Sequence, residues 1–168
     1  EAALATGAEA GRKLVRAGEL CVRAAQRERA LRYLGRAVDA FLVAGLDEEA
    51  ERICARILAV APSVVRARRT LALLAIGRGD VQAAIDRVDE YVRAAMDARQ
   101  AELAVKQLRV MAGLSGDMQL RECLARELEL LGGHALAPAD EPGSSRRGAD
   151  ERTRAIQAAL VPPSAHLH

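Results

Sequence analysis

The sequence predicts an all-α chain built from antiparallel helical hairpins, and three observations predict it. Apolar residues recur at three- and four-residue steps through seven segments of the chain. Turns of two to five residues, marked by Gly, Asp and Pro, join those segments, and connections so short make consecutive helices antiparallel neighbours. The apolar fraction is 51% but the aromatic fraction only 2%, with one Phe, two Tyr and no Trp. An interior of Ala, Leu, Val and Ile favours close helix packing over strands, which enrich aromatic and β-branched residues. A length of 168 residues holds one domain with a core, or a short array of repeats.

The first helix is expected from Gly7 to Gln26, with Thr6 and Glu9 forming a capping box and Ala10, Leu14, Ala17, Cys21 and Ala24 on its inner face. Gly11 and Gly18 each cost about 1 kcal/mol against Ala there, so the helix is weak or broken near Gly11. The second, Ala30 to Ala44, buries Leu31, Leu34, Val38 and Phe41, and Gly45 ends it by taking positive φ cheaply. Asp47 caps the third, Glu48 and Glu49 face its dipole, and Ala50, Ile53, Cys54, Ile57, Leu58 and Ala61 form its inner face. Pro62 stops it and Ser63 caps a fourth helix that runs to Ile76.

Asp80 starts a fifth helix with Val81, Ala84, Ile85, Val88, Tyr91 and Val92 in phase. A sixth, Ala98 to Leu114, carries Ala101, Ala104, Val105, Leu108 and Met111. The seventh starts at Asp117, aligns Leu120, Leu124, Leu128 and Leu131, and ends at Gly132 and Gly133. These helices make a domain over residues 1–134, followed by a Pro-, Gly- and Ser-rich linker over 135–150 and a tail over 151–168. In the tail Ile156, Ala159 and Leu160 share one side of a short helix that needs a surface to lie on, which makes it a candidate lid.

Gly45 to Gly79 and Ala50 to Ala84 are both 34 residues apart, and each copy is a helix, a short turn and a second helix. Leu34, Ala37, Val38 and Phe41, then Ala50, Cys54 and Pro62, follow the residue order of tetratricopeptide repeats, and the chain resembles that family over about residues 30–132. Leu71, Ala72 and Ala75 with Ala84 and Val88 continue the resemblance in the next unit. Departures are Met96 in place of the proline, Arg68 in place of a large apolar residue, Val38 in place of a small one, and a third unit stretched before Gly116. Related helical-hairpin solenoids stay open as alternatives. The resemblance implies a right-handed α-solenoid whose hairpins cover one another's apolar faces.

It also implies a concave wall lined by the first helix of each pair. The positions carried over are Arg32, Asp39 and Leu42, then Arg66, Arg69, Leu73 and Ile76, then Gln100, Leu103, Gln107 and Val110. Arg66, Arg68 and Arg69 are the densest basic cluster of the folded part. They either offer guanidinium forks to a carboxylate of an acidic peptide or form a solvated helix face paired with neighbouring Asp and Glu, the second being the commoner case. The family's clamp for peptide C-termini also uses asparagines, and this chain has none.

The functional expectation is therefore a non-catalytic scaffold or adaptor that binds a peptide or helix of a partner protein, alone or as a subunit of a larger assembly. The alternatives are an Arg-mediated nucleic-acid contact and a regulatory domain cut from a longer chain, a possibility that a start at Glu1 leaves open. Nucleic acid ranks lower, because net charge is only +2 and rings for base stacking are almost absent. No catalytic residue, cofactor or metal is expected: no nucleophile motif or phosphate loop is found, and His134, His166 and His168 have no ligand partners at metal spacing. Cys21, Cys54 and Cys123 read as small core residues in a reducing compartment. No apolar run spans a membrane and no signal-peptide series opens the chain, so the expected location is cytoplasmic.

Overall fold

The computed structural model describes residues 2–132 and, in the tail, Ala155, Ala158 and Ala159. Among the described residues there are seven α-helices and no strand. They are α1 (Ala2–Arg23), α2 (Arg27–Val43), α3 (Asp47–Val60), α4 (Val65–Arg78), α5 (Val81–Asp97), α6 (Ala101–Leu114) and α7 (Met118–Leu130). The chain divides into two compact units, the first ending at Leu71 and the second starting at Ala72, so the division falls within α4.

In the first unit α2 packs against both α1 and α3. Its inner face is the expected one: Leu34, Val38 and Phe41 are buried, together with Ala50, Ile53, Cys54 and Ile57 of α3. The surprise is α1, which runs unbroken through Gly11 and Gly18. A Cβ on Gly11 would lie 2.7 Å from Phe41 Cε1, and one on Gly18 would lie 2.8 Å from Leu34 Cδ2. The two glycines thus let α1 approach α2, and the packing gained offsets their low helix propensity. The inner face of α1 accordingly runs through Ala8, Gly11 and Gly18, whereas Ala10 and Ala24, expected inside, are exposed.

In the second unit α5, α6 and α7 pack pairwise. Ala84, Val88, Tyr91, Leu108, Met111, Leu124 and Leu128 form its interior. The stretch Ala72–Ile76 of α4 is buried at every position.

Most helix ends are made the same way. After α2 the N–H of Leu46 donates to Phe41 O at 2.9 Å and that of Gly45 to Leu42 O at 3.1 Å, with Gly45 at φ 69°. The pair of bonds satisfies carbonyls that the helix leaves open. The same pattern follows α1 at Ala25 (φ 55°), α4 at Gly79 (φ 73°) and α5 at Arg99 (φ 56°), with the bond to the carbonyl further back in sequence made by Gln26, Asp80 and Gln100. Alanine and arginine therefore occupy left-handed positions that glycine would take more cheaply.

The expected starts hold at α5 and α7, where the Asp80 carboxylate accepts from Ala83 N at 3.1 Å and that of Asp117 from Leu120 N at 2.9 Å. Elsewhere they shift. Leu46 holds the N-cap position of α3 and Asp47 is its first helical residue. The fourth helix begins at Val65, so Ser63 stands in the preceding turn and does not cap it. Thr6 lies inside α1 and Glu9 pairs with Lys13 at 2.7 Å, which removes the capping box. The last described helix ends as expected at Gly132 with φ 72°. The linker, the three histidines, Ile156 and Leu160 lie outside the described residues; Ala159 is helical and half-buried.

Candidate functional site

The basic cluster of α4 is held by its own surroundings. Arg66 donates through Nη2 to Oδ1 of Asp39 on α2, forming an ion pair at the surface of the first unit. Arg68 donates to the carbonyl of Pro62 from Nε at 3.3 Å and from Nη2 at 3.1 Å. Arg69 is half-buried beside Asp39. Burial raises the Asp39 carboxyl above its ordinary value, and this outweighs the lowering by the Arg66 and Arg69 charges. Of the two readings of this cluster, pairing with a neighbouring carboxylate describes Arg66.

Beside that pair lies a small apolar cleft of about 120 Å³ bordered by Leu31, Gly35, Val38, Ile57 and Ala67. A Cβ on Gly35 would meet nothing within 4 Å, so Gly35 is the open side of the cleft. Cys54 and Thr70 also border it, and burial pushes the Cys54 thiol up to about 12. Its burial and its place beside Ile57 and Thr70 in the cleft lining make it part of the packing there. The Cys123 thiol is raised as well, mainly by burial.

The remaining positions expected on an open wall separate into two sets. Leu42, Leu73 and Ile76 are 1%, 0% and 3% exposed, and their expected place at a partner surface is corrected: they are core. Leu42 continues the buried Leu34–Val38 stripe of α2 at i+4, and Leu73 and Ile76 lie in a stretch of α4 buried at every position. Arg32 is exposed and Gln107 half-buried, while Leu103 and Val110 on α6 are 49% and 43% exposed. Leu103, Gln107 and Val110 stand at i, i+4 and i+7, a stripe of α6 that flanks the buried Ala104, Leu108 and Met111.

A second basic site arises in the first unit that the sequence reading missed. A groove of about 410 Å³ is lined by Arg12 of α1, Arg52 and Arg56 of α3, and an apolar floor of Val15, Phe41 and Ile53. Glu49 stands on its rim and pairs with Arg52 at 2.9 Å, and Arg56 reaches Glu19 of α1 at 2.8 Å. The i, i+4 spacing of Arg52 and Arg56 was visible in the sequence. That Arg12 joins them was not, because the inner face of α1 follows its glycines and not its larger apolar residues.

In the second unit a cleft of about 280 Å³ lies where the starts of α5 and α7 meet, bordered by Asp80, Val81, Ser115, Gly116 and Asp117. Both carboxylates are engaged as caps there. Among the described residues no group of three or more His, Cys, Asp or Glu side chains is placed to hold a metal ion. No helix among them is long and apolar enough to cross a membrane. The chain matches no family model, no curated protein and no solved structure.

Proposed function

We propose that the chain is a non-catalytic protein-interaction module, a tetratricopeptide-like right-handed stack of hairpins acting as scaffold, adaptor or subunit of a larger assembly. The first helix of each pair would receive a peptide or helix of a partner protein. The observation that supports this best is the α6 face, where Leu103 and Val110 remain 49% and 43% exposed on either side of Gln107. Two apolar side chains one helical repeat apart are the anchors that an amphipathic partner helix needs. In the first unit Arg32, Asp39, Arg66 and Arg69 are the polar positions of the same expectation, considered apart from the α6 face.

The test is comparative capture from the native source by the wild-type chain and by a Leu103→Glu, Val110→Glu variant of unchanged helix content. A set of proteins retained by the first and lost by the second is the expected result. Identical sets would remove the α6 face from the function. Phosphate-directed binding ranks below this reading, since Arg66 already bonds Asp39; a mobility shift with steep loss between low and moderate salt would restore it.

A further inference from the structure

The Arg12, Arg52 and Arg56 groove is a separate surface, and we infer that it binds an acidic, amphipathic peptide segment of a partner protein through an apolar anchor flanked by carboxylates. Three features of the groove support that occupant. Its floor of Val15, Phe41 and Ile53 gives an apolar side chain a place to lie, and its volume of about 410 Å³ falls within the about 300–1,000 Å³ of clefts that hold small ligands. Its walls carry three guanidinium groups against two carboxylates, Glu49 on the rim and Glu19 beside Arg56.

Two of those groups are held only by surface ion pairs, which are worth about 0–1 kcal/mol and exchange readily for an incoming carboxylate. Arg12 has no ion pair among the described residues. Guanidinium forks match carboxylates in bidentate geometry, so specificity follows from the spacing of acids around the anchor.

Charge along the chain points the same way. Up to Leu71 there are thirteen lysines and arginines against nine acidic residues, whereas from Ala72 to Gly132 there are eight against ten. The excess of basic groups thus sits in the unit that holds the groove and favours encounter with an acidic partner. A polynucleotide is disfavoured, because the groove presents no exposed aromatic ring for base stacking.

The test is selection from a displayed library of random peptides about 16 residues long on the intact chain. The expected winners carry Asp or Glu around a bulky apolar residue. A representative peptide, followed by fluorescence anisotropy, should bind the Arg12→Gln, Arg52→Gln, Arg56→Gln variant at least about tenfold more weakly. Arg12→Gln alone, which disturbs no ion pair, serves if the triple variant does not fold, and should itself weaken binding severalfold.

Winners without acidic residues, no winners at all, or equal binding by the Arg variants would overturn the inference. So would self-association in sedimentation that vanishes with the same variants, which would make a second copy the occupant. The α6 variant Leu103→Glu, Val110→Glu should bind the peptide as the wild type does, so failure of this site and failure of the α6 face are read separately.

Discussion

The α-carbon of Gly11 faces the ring of Phe41 so closely that a Cβ there would stand 2.7 Å from Cε1 and 2.9 Å from Cδ1. Phe41 is 3% exposed, so a Cβ at that distance forces its ring or the α1–α2 spacing to shift. Gly11→Ala should lower stability by about 1–3 kcal/mol despite the better helix propensity of alanine. Urea unfolding checks the value. Phe41→Leu in the Gly11→Ala background should recover part of the loss, a coupling that two independent sites would not show.

Gly35 gives the opposite result. A Cβ there meets nothing within 4 Å and points into the small cleft beside Val38 and Ile57. Gly35→Ala should raise stability by about 0.5–1 kcal/mol, through helix propensity and a less flexible unfolded chain. Thermal unfolding should show the midpoint rising by a few degrees. A fall would mean that the cleft is narrower than described.

Ala25 and Arg99 hold φ angles of 55° and 56° at helix ends where Gly45 and Gly79 hold 69° and 73°. Ala25→Gly and Arg99→Gly should each stabilise by up to about 1 kcal/mol, because glycine removes the Cβ clash of the left-handed region. The two sites end different helices, α1 and α5, each in its own unit, so the gains should add in the double variant.

Asp39 predicts a pH dependence of defined sign. Burial raises its folded-state carboxyl above the ordinary 3.8, so between those two values the folded chain binds the proton more readily than the unfolded one. The contribution of this group to stability is therefore greatest below 3.8 and falls as pH rises through its folded value. Asp39→Asn should flatten that part of the stability profile while leaving the profile near neutral pH parallel to the wild type. Denaturant midpoints taken at intervals across this window decide it; an unchanged slope would mean that Asp39 is as well solvated as in the unfolded chain.

Periodicity placed the seven helices, the burial of Leu34, Ile57 and Val88, and the ends at Gly45 and Gly132, because each is governed by spacing within a helix or by one residue's backbone freedom. The caps at Asp80 and Asp117 were local in the same sense, whereas Asp47 and Ser63 show that cap chemistry alone does not fix a helix start within a residue or two. Packing decided the rest. Whether Gly11 and Gly18 break a helix or seat it depends on the Phe41 and Leu34 side chains of another helix. Whether Leu73 and Ile76 face solvent depends on how many sides of a helix are covered, which its own pattern does not state. Arg12 meets Arg52 and Arg56 only because α1 and α3 both lie against α2, a relation between residues some forty positions apart that no local spacing encodes.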